Sequence, residues 1–179
     1  TLEAFGRLRQ AGKIRMIGAS NFTAWRLEEA RSLSMANEWP EYSCVQQRFT
    51  YLRPKPGASF APQLAANDDL LDYCRKRKMT MLAYSVLLSG AYTRPEREVP
   101  AQYVGADADD RLTALRGVAQ EINASPNQVI LAWMLQGDPP VLPLIAASSS
   151  QQLKENIDAL NVTLSADQMS RLNSAGNPI

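Results

Sequence analysis

The stretch GKIRMIGASNF, residues 12–22, decides how the chain reads. It opens on a glycine placed where a helix would end. Ile14, Met16 and Ile17 then form a short apolar run, and the run stops on an adjacent Ser20 and Asn21. Two hydrogen-bonding side chains add little to a core, so they mark the end of a strand rather than its middle. Upstream, Leu2, Phe5 and Leu8 fall on one helical face, with Thr1 as a candidate N-cap and Gly12 as the C-terminal glycine. Downstream, Leu27, Ala30 and Leu33 fall on one face of a second helix, over 24–36. The unit is helix, strand, helix.

The same unit recurs. Strands are predicted at 43–49, 79–84 and 141–145. Helices are predicted at 67–77, with Leu70, Leu71 and Cys74, and at 110–123, with Leu112, Leu115, Val118, Ala119 and Ile122. SPNQ, residues 125–128, supplies an N-cap, a proline in the first turn and a capping-box glutamine, which starts a helix running to about 136. A helix at 150–160 carries Leu153, Ile157 and Leu160, and a last short one starts at Ser165. Two long irregular stretches, 52–63 and 86–109, interrupt the pattern. One helix followed by four strand–helix units implies parallel strands joined by crossover helices.

The 179 residues suit a single domain, 1–179, with a real core. A net charge of +1 leaves no electrostatic case for nucleic acid or an anionic membrane. No apolar run reaches the length of a membrane span. Cys44 and Cys74 are too few for a disulfide framework or a zinc site, so a cytoplasmic setting is the expectation. There is no histidine. Any mechanism built from this chain works without the commonest general acid and base.

Ligands of parallel α/β proteins bind at the C-terminal ends of the strands. Those ends carry Ser20 and Asn21, then Gln46, then Tyr84 and Ser85, then Ser148, Ser149 and Ser150. They deliver hydroxyls, amides and a phenol to one rim, without a carboxylate pair. Helix capping is the competing reading of each serine and asparagine. AASSSQQLKEN, residues 146–156, is small and hydroxyl-rich where such folds often hold phosphate, but it lacks a Walker or G-x-G-x-x-G glycine pattern.

GKIRMIGASNF, VQQRFTYL, MLAYSVLLSG, SPNQVILAWML and LPLIAASSSQQLKENIDAL occur in this order. Together they resemble the second half of an aldo-keto reductase, over essentially the whole chain. The resemblance implies a (β/α)8 TIM-barrel fold, of which this chain is a half barrel: four parallel βα units plus a leading helix. It also implies hydride transfer between a carbonyl and a nicotinamide cofactor, NADP(H) or else NAD(H).

By resemblance, Ser20, Asn21 and Gln46 match the residues that hold the nicotinamide carboxamide. Tyr84 matches the aromatic stacked on the ring. Ser85 begins the pyrophosphate loop, which Leu87 and Gly90 continue. Ser148 and Ser149 match the grip on the adenosine 2′-phosphate, and Gln152, Glu155 and Asn156 match the residues at the adenine. Val86 and Ala146 depart from the common proline and glycine. No lysine or arginine precedes Lys154 in the 2′-phosphate segment, where members using NADPH usually place one.

The family's catalytic Asp, Tyr, Lys and His lie upstream of the part this chain resembles, so the chain carries no catalytic set and is expected to be inactive by itself. Its expected partners are the missing N-terminal half of the barrel, or a second copy, and a small carbonyl substrate once complete. A non-catalytic dinucleotide-binding module and a self-associating fragment are the alternatives. Four strands cut from a barrel leave two free edges, at 14–19 and 141–145, guarded only by Arg15 and Pro143.

Overall fold

A computed structural model describes residues 1–176. Its elements are α1 (Leu2–Gln10), β1 (Ile17–Ser20), α2 (Ala24–Asn37), β2 (Tyr42–Arg48), α3 (Asp68–Arg77) and β3 (Thr80–Tyr84), followed by α4 (Ala106–Glu121), α5 (Pro126–Leu135), β4 (Val141–Pro143), α6 (Ser150–Asp158) and α7 (Ala166–Ser174). The four strands form one parallel sheet in the order β1-β2-β3-β4. Ser20, Gln46, Leu82 and Leu142 stand in one register row across it.

The sheet has one covered face and one open face. Ile17, Ala19, Val45, Gln47, Met81, Ala83 and Val141 point into the helices and are buried. The alternate residues Gly18, Ser20, Thr80 and Leu142 are exposed, and Cys44, Gln46, Leu82 and Tyr84 are half-buried. Parallel sheets are ordinarily covered on both faces. Gly18 serves this face by its smallness, since a Cβ there would lie 2.6 Å from Cys44 Sγ.

Local signals set the helix ends. Gly12 at φ +69° lets its own N–H reach Arg9 O and the Lys13 N–H reach Leu8 O, both at 3.0 Å, a Schellman closure of α1. The SPNQ capping box forms in both directions at α5. α5 is apolar on nearly every side because it is covered on every side: it packs against β4, α4 and α6. Thr1 occupies the N-cap position of α1, but its side chain makes no capping bond.

Three expectations change. The first strand begins at Ile17, not residue 14, and Met16 is 76% exposed. The buried row of α2 is Ala24, Leu27, Ala30 and Ser34, while Leu33 is exposed. Ser34 tolerates burial because its hydroxyl donates to Pro40 O at 3.0 Å. The apolar face predicted for the helix at 150–160 is not core: Leu153 and Ile157 on α6 and Leu160 just beyond it are exposed, and Asn156 is the buried residue of α6. The helix packs on α5 through its polar side, so its periodicity records a surface that the described residues leave uncovered.

The C-terminal carbonyls of α7 are held by three side chains. Tyr51 Oη donates to Leu172 O, Arg53 Nη2 to Asn173 O and Arg111 Nη1 to Ala175 O, each at 3.1 Å. Arg111 is 2% exposed, also donates Nε to Tyr51 O at 2.9 Å, and lies 4.1 Å over the Tyr51 ring. Its burial is offset by the negative end of the helix and by the ring face. Arg111→Met leaves buried carbonyls without donors and is expected to cost about 2–4 kcal/mol. Arg53→Met, at a half-exposed position, should change little. Urea midpoints of the two variants check this.

Candidate functional site

The strand C-termini meet at one rim. Asn21 follows β1 at φ +56°, a left-handed position that asparagine tolerates. Its N–H donates to Gln46 O at 3.1 Å, which ties the end of β1 to β2. Its Oδ1 accepts from the Tyr84 hydroxyl at 2.8 Å and from the Leu64 N–H at 3.0 Å. Its Nδ2 reaches Ser20 Oγ at 3.4 Å. Ser20, Asn21 and Tyr84 are thus brought together from β1 and β3. The capping alternative fails for the first pair, since the N-cap of α2 is Thr23.

The two adjacent glutamines of β2 part company by strand alternation. Gln47 is buried against the helices, with Nε2 on Phe22 O at 3.4 Å. Gln46 stands on the open face, in register with Ser20. Burial pushes the Tyr84 phenol pKa up, against the opposing influence of Arg48 and of the bond to Asn21.

Beyond the rim runs a groove of about 520 Å³. Ser85, Leu87 and Gly90, from the loop after β3, line it together with Ser148, Gln152, Glu155 and Asn156. Seven of the residues singled out in the sequence therefore share one cavity. Ser149 does not line it. Its Oγ accepts from the Gln152 N–H at 3.2 Å as the N-cap of α6, so capping is its role here. Gln152 Oε1 accepts from both the N–H and the hydroxyl of Ser148, each at 2.9 Å. Glu155 Oε1 accepts from Ser125 Oγ at 2.6 Å.

Sequence reading missed Arg94 and Asn127 on this wall. Asn127 sits inside the SPNQ capping motif, which accounts for its residue type without a site, yet its Oδ1 is buried without a hydrogen-bond partner. Arg94 lay in a stretch without periodicity. Among the described residues no group of three or more His, Cys, Asp or Glu could hold a metal ion. No helix among them is long and apolar enough to cross a membrane.

A parallel α/β sheet carries a hydroxyl- and amide-rich rim at its strand ends, next to a groove at the N-terminal end of α6, the place where ligands of parallel α/β folds bind. The chain belongs to the aldo/keto reductase family, whose model matches residues 1–177. It is 28% identical over 172 residues to pyridoxine 4-dehydrogenase of Escherichia coli, covering 96% of this chain and 48% of that protein. An uncharacterized oxidoreductase of Schizosaccharomyces pombe is 26% identical over 169 residues, covering 94% of this chain and 44% of its own length. Among solved structures, a thermostable aldo-keto reductase in complex with the inhibitor epalrestat superimposes with a TM-score of 0.73 at 29% identity. That match covers 97% of this chain and 53% of the other. The chain spans about half the length of the relatives it matches.

Proposed function

We propose that this chain is the cofactor-binding half of a nicotinamide-dependent carbonyl reductase, contributing four βα units to a (β/α)8 barrel. The observation that carries this reading is the continuity of the Ser20–Asn21–Tyr84 rim with the groove between Ser85 and Asn156. The residues fit a dinucleotide: a flat ring can lie on the rim, and the groove offers hydroxyls, amides and the glycine at residue 90. Bound there, the cofactor would supply the hydride that a carbonyl carbon accepts.

The chain's own work is orientation. Ser20, Gln46 and the Asn21 Nδ2 remain available to a carboxamide, while Asn21 Oδ1 is already used to hold Tyr84 in place. Tyr84 is a wall for the ring and not the proton donor, because its hydroxyl is committed to Asn21 and its pKa is raised. The acid comes from the other four βα units. The open sheet face and the free edges of β1 and β4 favour such a partner.

Calorimetric titration of the chain with NADPH tests the groove. The Gln152→Ala, Asn156→Ala double variant should bind about tenfold more weakly, the equivalent of one lost hydrogen bond or slightly more. Equal affinity for the two proteins would remove the adenine site from this groove.

A further inference from the structure

A dinucleotide carries a pyrophosphate, and a cationic side chain beside it strengthens its binding. The segment that resembles the 2′-phosphate grip, 146–153, carries no cation. The first cation after it, Lys154, does not line the groove: its Nζ is paired with Asp158 Oδ2 at 2.6 Å and its side chain is 76% exposed. Among the described residues the only cation on the groove wall is Arg94. The guanidinium of Arg94 has no carboxylate within 4.0 Å among those residues, whereas the one acid of the wall, Glu155, is bonded to Ser125. Arg94 is also held in place. Its N–H donates to Gly90 O at 3.0 Å, and its side chain lies across Gly90. A Cβ on residue 90, which sits at φ +96°, would come 3.0 Å from Arg94 Cδ and 3.2 Å from Nε. The glycine leaves the space that the arginine stem fills.

Resting on the dinucleotide reading above, we propose that Arg94 is the pyrophosphate-neutralising residue of this groove, and that the chain consequently does not discriminate between NADH and NADPH. The loop after β3 supplies charge to the part that both cofactors share. The 2′-phosphate, the only group that distinguishes them, meets neutral serines near Ser148. Neutral hydroxyls discriminate less than the bidentate contact of an arginine with a phosphate.

The test is titration of the 179-residue chain with NADH and with NADPH, followed by cofactor fluorescence and by calorimetry. The wild type is expected to bind both within about threefold of each other, and Arg94→Ala to weaken both by about tenfold or more, in equal ratio. Arg94→Lys should recover part of the loss, since a point charge replaces a fork. Lys154→Ala should change neither affinity. Circular dichroism checks that each variant is folded, and partial exposure of Arg94 favours that outcome. If Arg94→Ala weakens NADPH alone, the arginine serves the 2′-phosphate and the proposal fails. If Arg94→Ala leaves both affinities unchanged while the wild type binds, the proposal fails and the dinucleotide reading stands. If the wild type binds neither nucleotide, the reading and the proposal fall together.

Discussion

Given NADPH and a reactive aldehyde, the purified chain is expected to produce no alcohol above the uncatalysed background. Carbonyl reduction needs a proton donor placed beside the nascent alkoxide. The chain has no histidine, and four of its six tyrosines have their hydroxyls engaged in hydrogen bonds. Tyr51 donates to Leu172 O and its pKa is pushed up to about 12 by burial. Tyr73 donates to Glu28 and is likewise raised to about 12. The Tyr92 hydroxyl pairs with Thr50 in the core, and Tyr103 is buried beside Phe60. Tyr42 packs edge-on against Phe22, and Tyr84 is bound to Asn21. Loss of a positioned acid removes a factor of about 10²–10⁴ by itself. Cofactor oxidation followed at its absorbance band, with product analysis, measures the rate. Turnover that Tyr84→Phe abolishes would return the acid role to Tyr84 and overturn the proposed division of labour.

The isolated chain is also expected to associate, and to stop associating once a four-stranded partner closes it. Among the described residues β1 pairs only with β2 and β4 only with β3, so each leaves a row of backbone donors and acceptors unmatched. Both edges are short and weakly guarded against pairing. The open face adds Leu142, and the exposed residues Leu144, Ile145, Leu153 and Ile157 extend an apolar surface along the β4 side. Met16 and Leu33 are exposed on β1's approach and on α2. Surfaces of this kind mark interfaces. Light scattering should therefore report species larger than a monomer, with binding of an exposed-surface dye. Co-expression with the N-terminal four βα units of an aldo-keto reductase should give a single discrete complex without dye binding. A monodisperse, dye-silent monomer would refute the expectation.

Much of this molecule is legible before any coordinates. Period-3.6 and short apolar runs place every helix and strand within a few residues, because each βα unit is built from local signals: the Gly12 closure, the SPNQ box, the Ser165 cap. Strand alternation also separates Gln46 from Gln47 once the edges of β2 are known. The family motifs point to the rim and to most of the groove. What local pattern could not decide is which partners a residue meets. Leu153 and Ile157 look like core on a helical wheel, but the core is wherever a second element happens to stand, and none stands there. Ser149 and Ser20 are alike as serines after strands, yet one caps α6 and the other faces an open sheet. Arg94 carries no periodic signal at all. Its place beside Ser148 and Asn156 exists only because two loops, more than fifty positions apart, fold against the same end of one sheet. Sequence determines the elements, since their energies are local. The packing of β3's loop against α6 determines the charge of the groove, since that depends on contacts between distant segments.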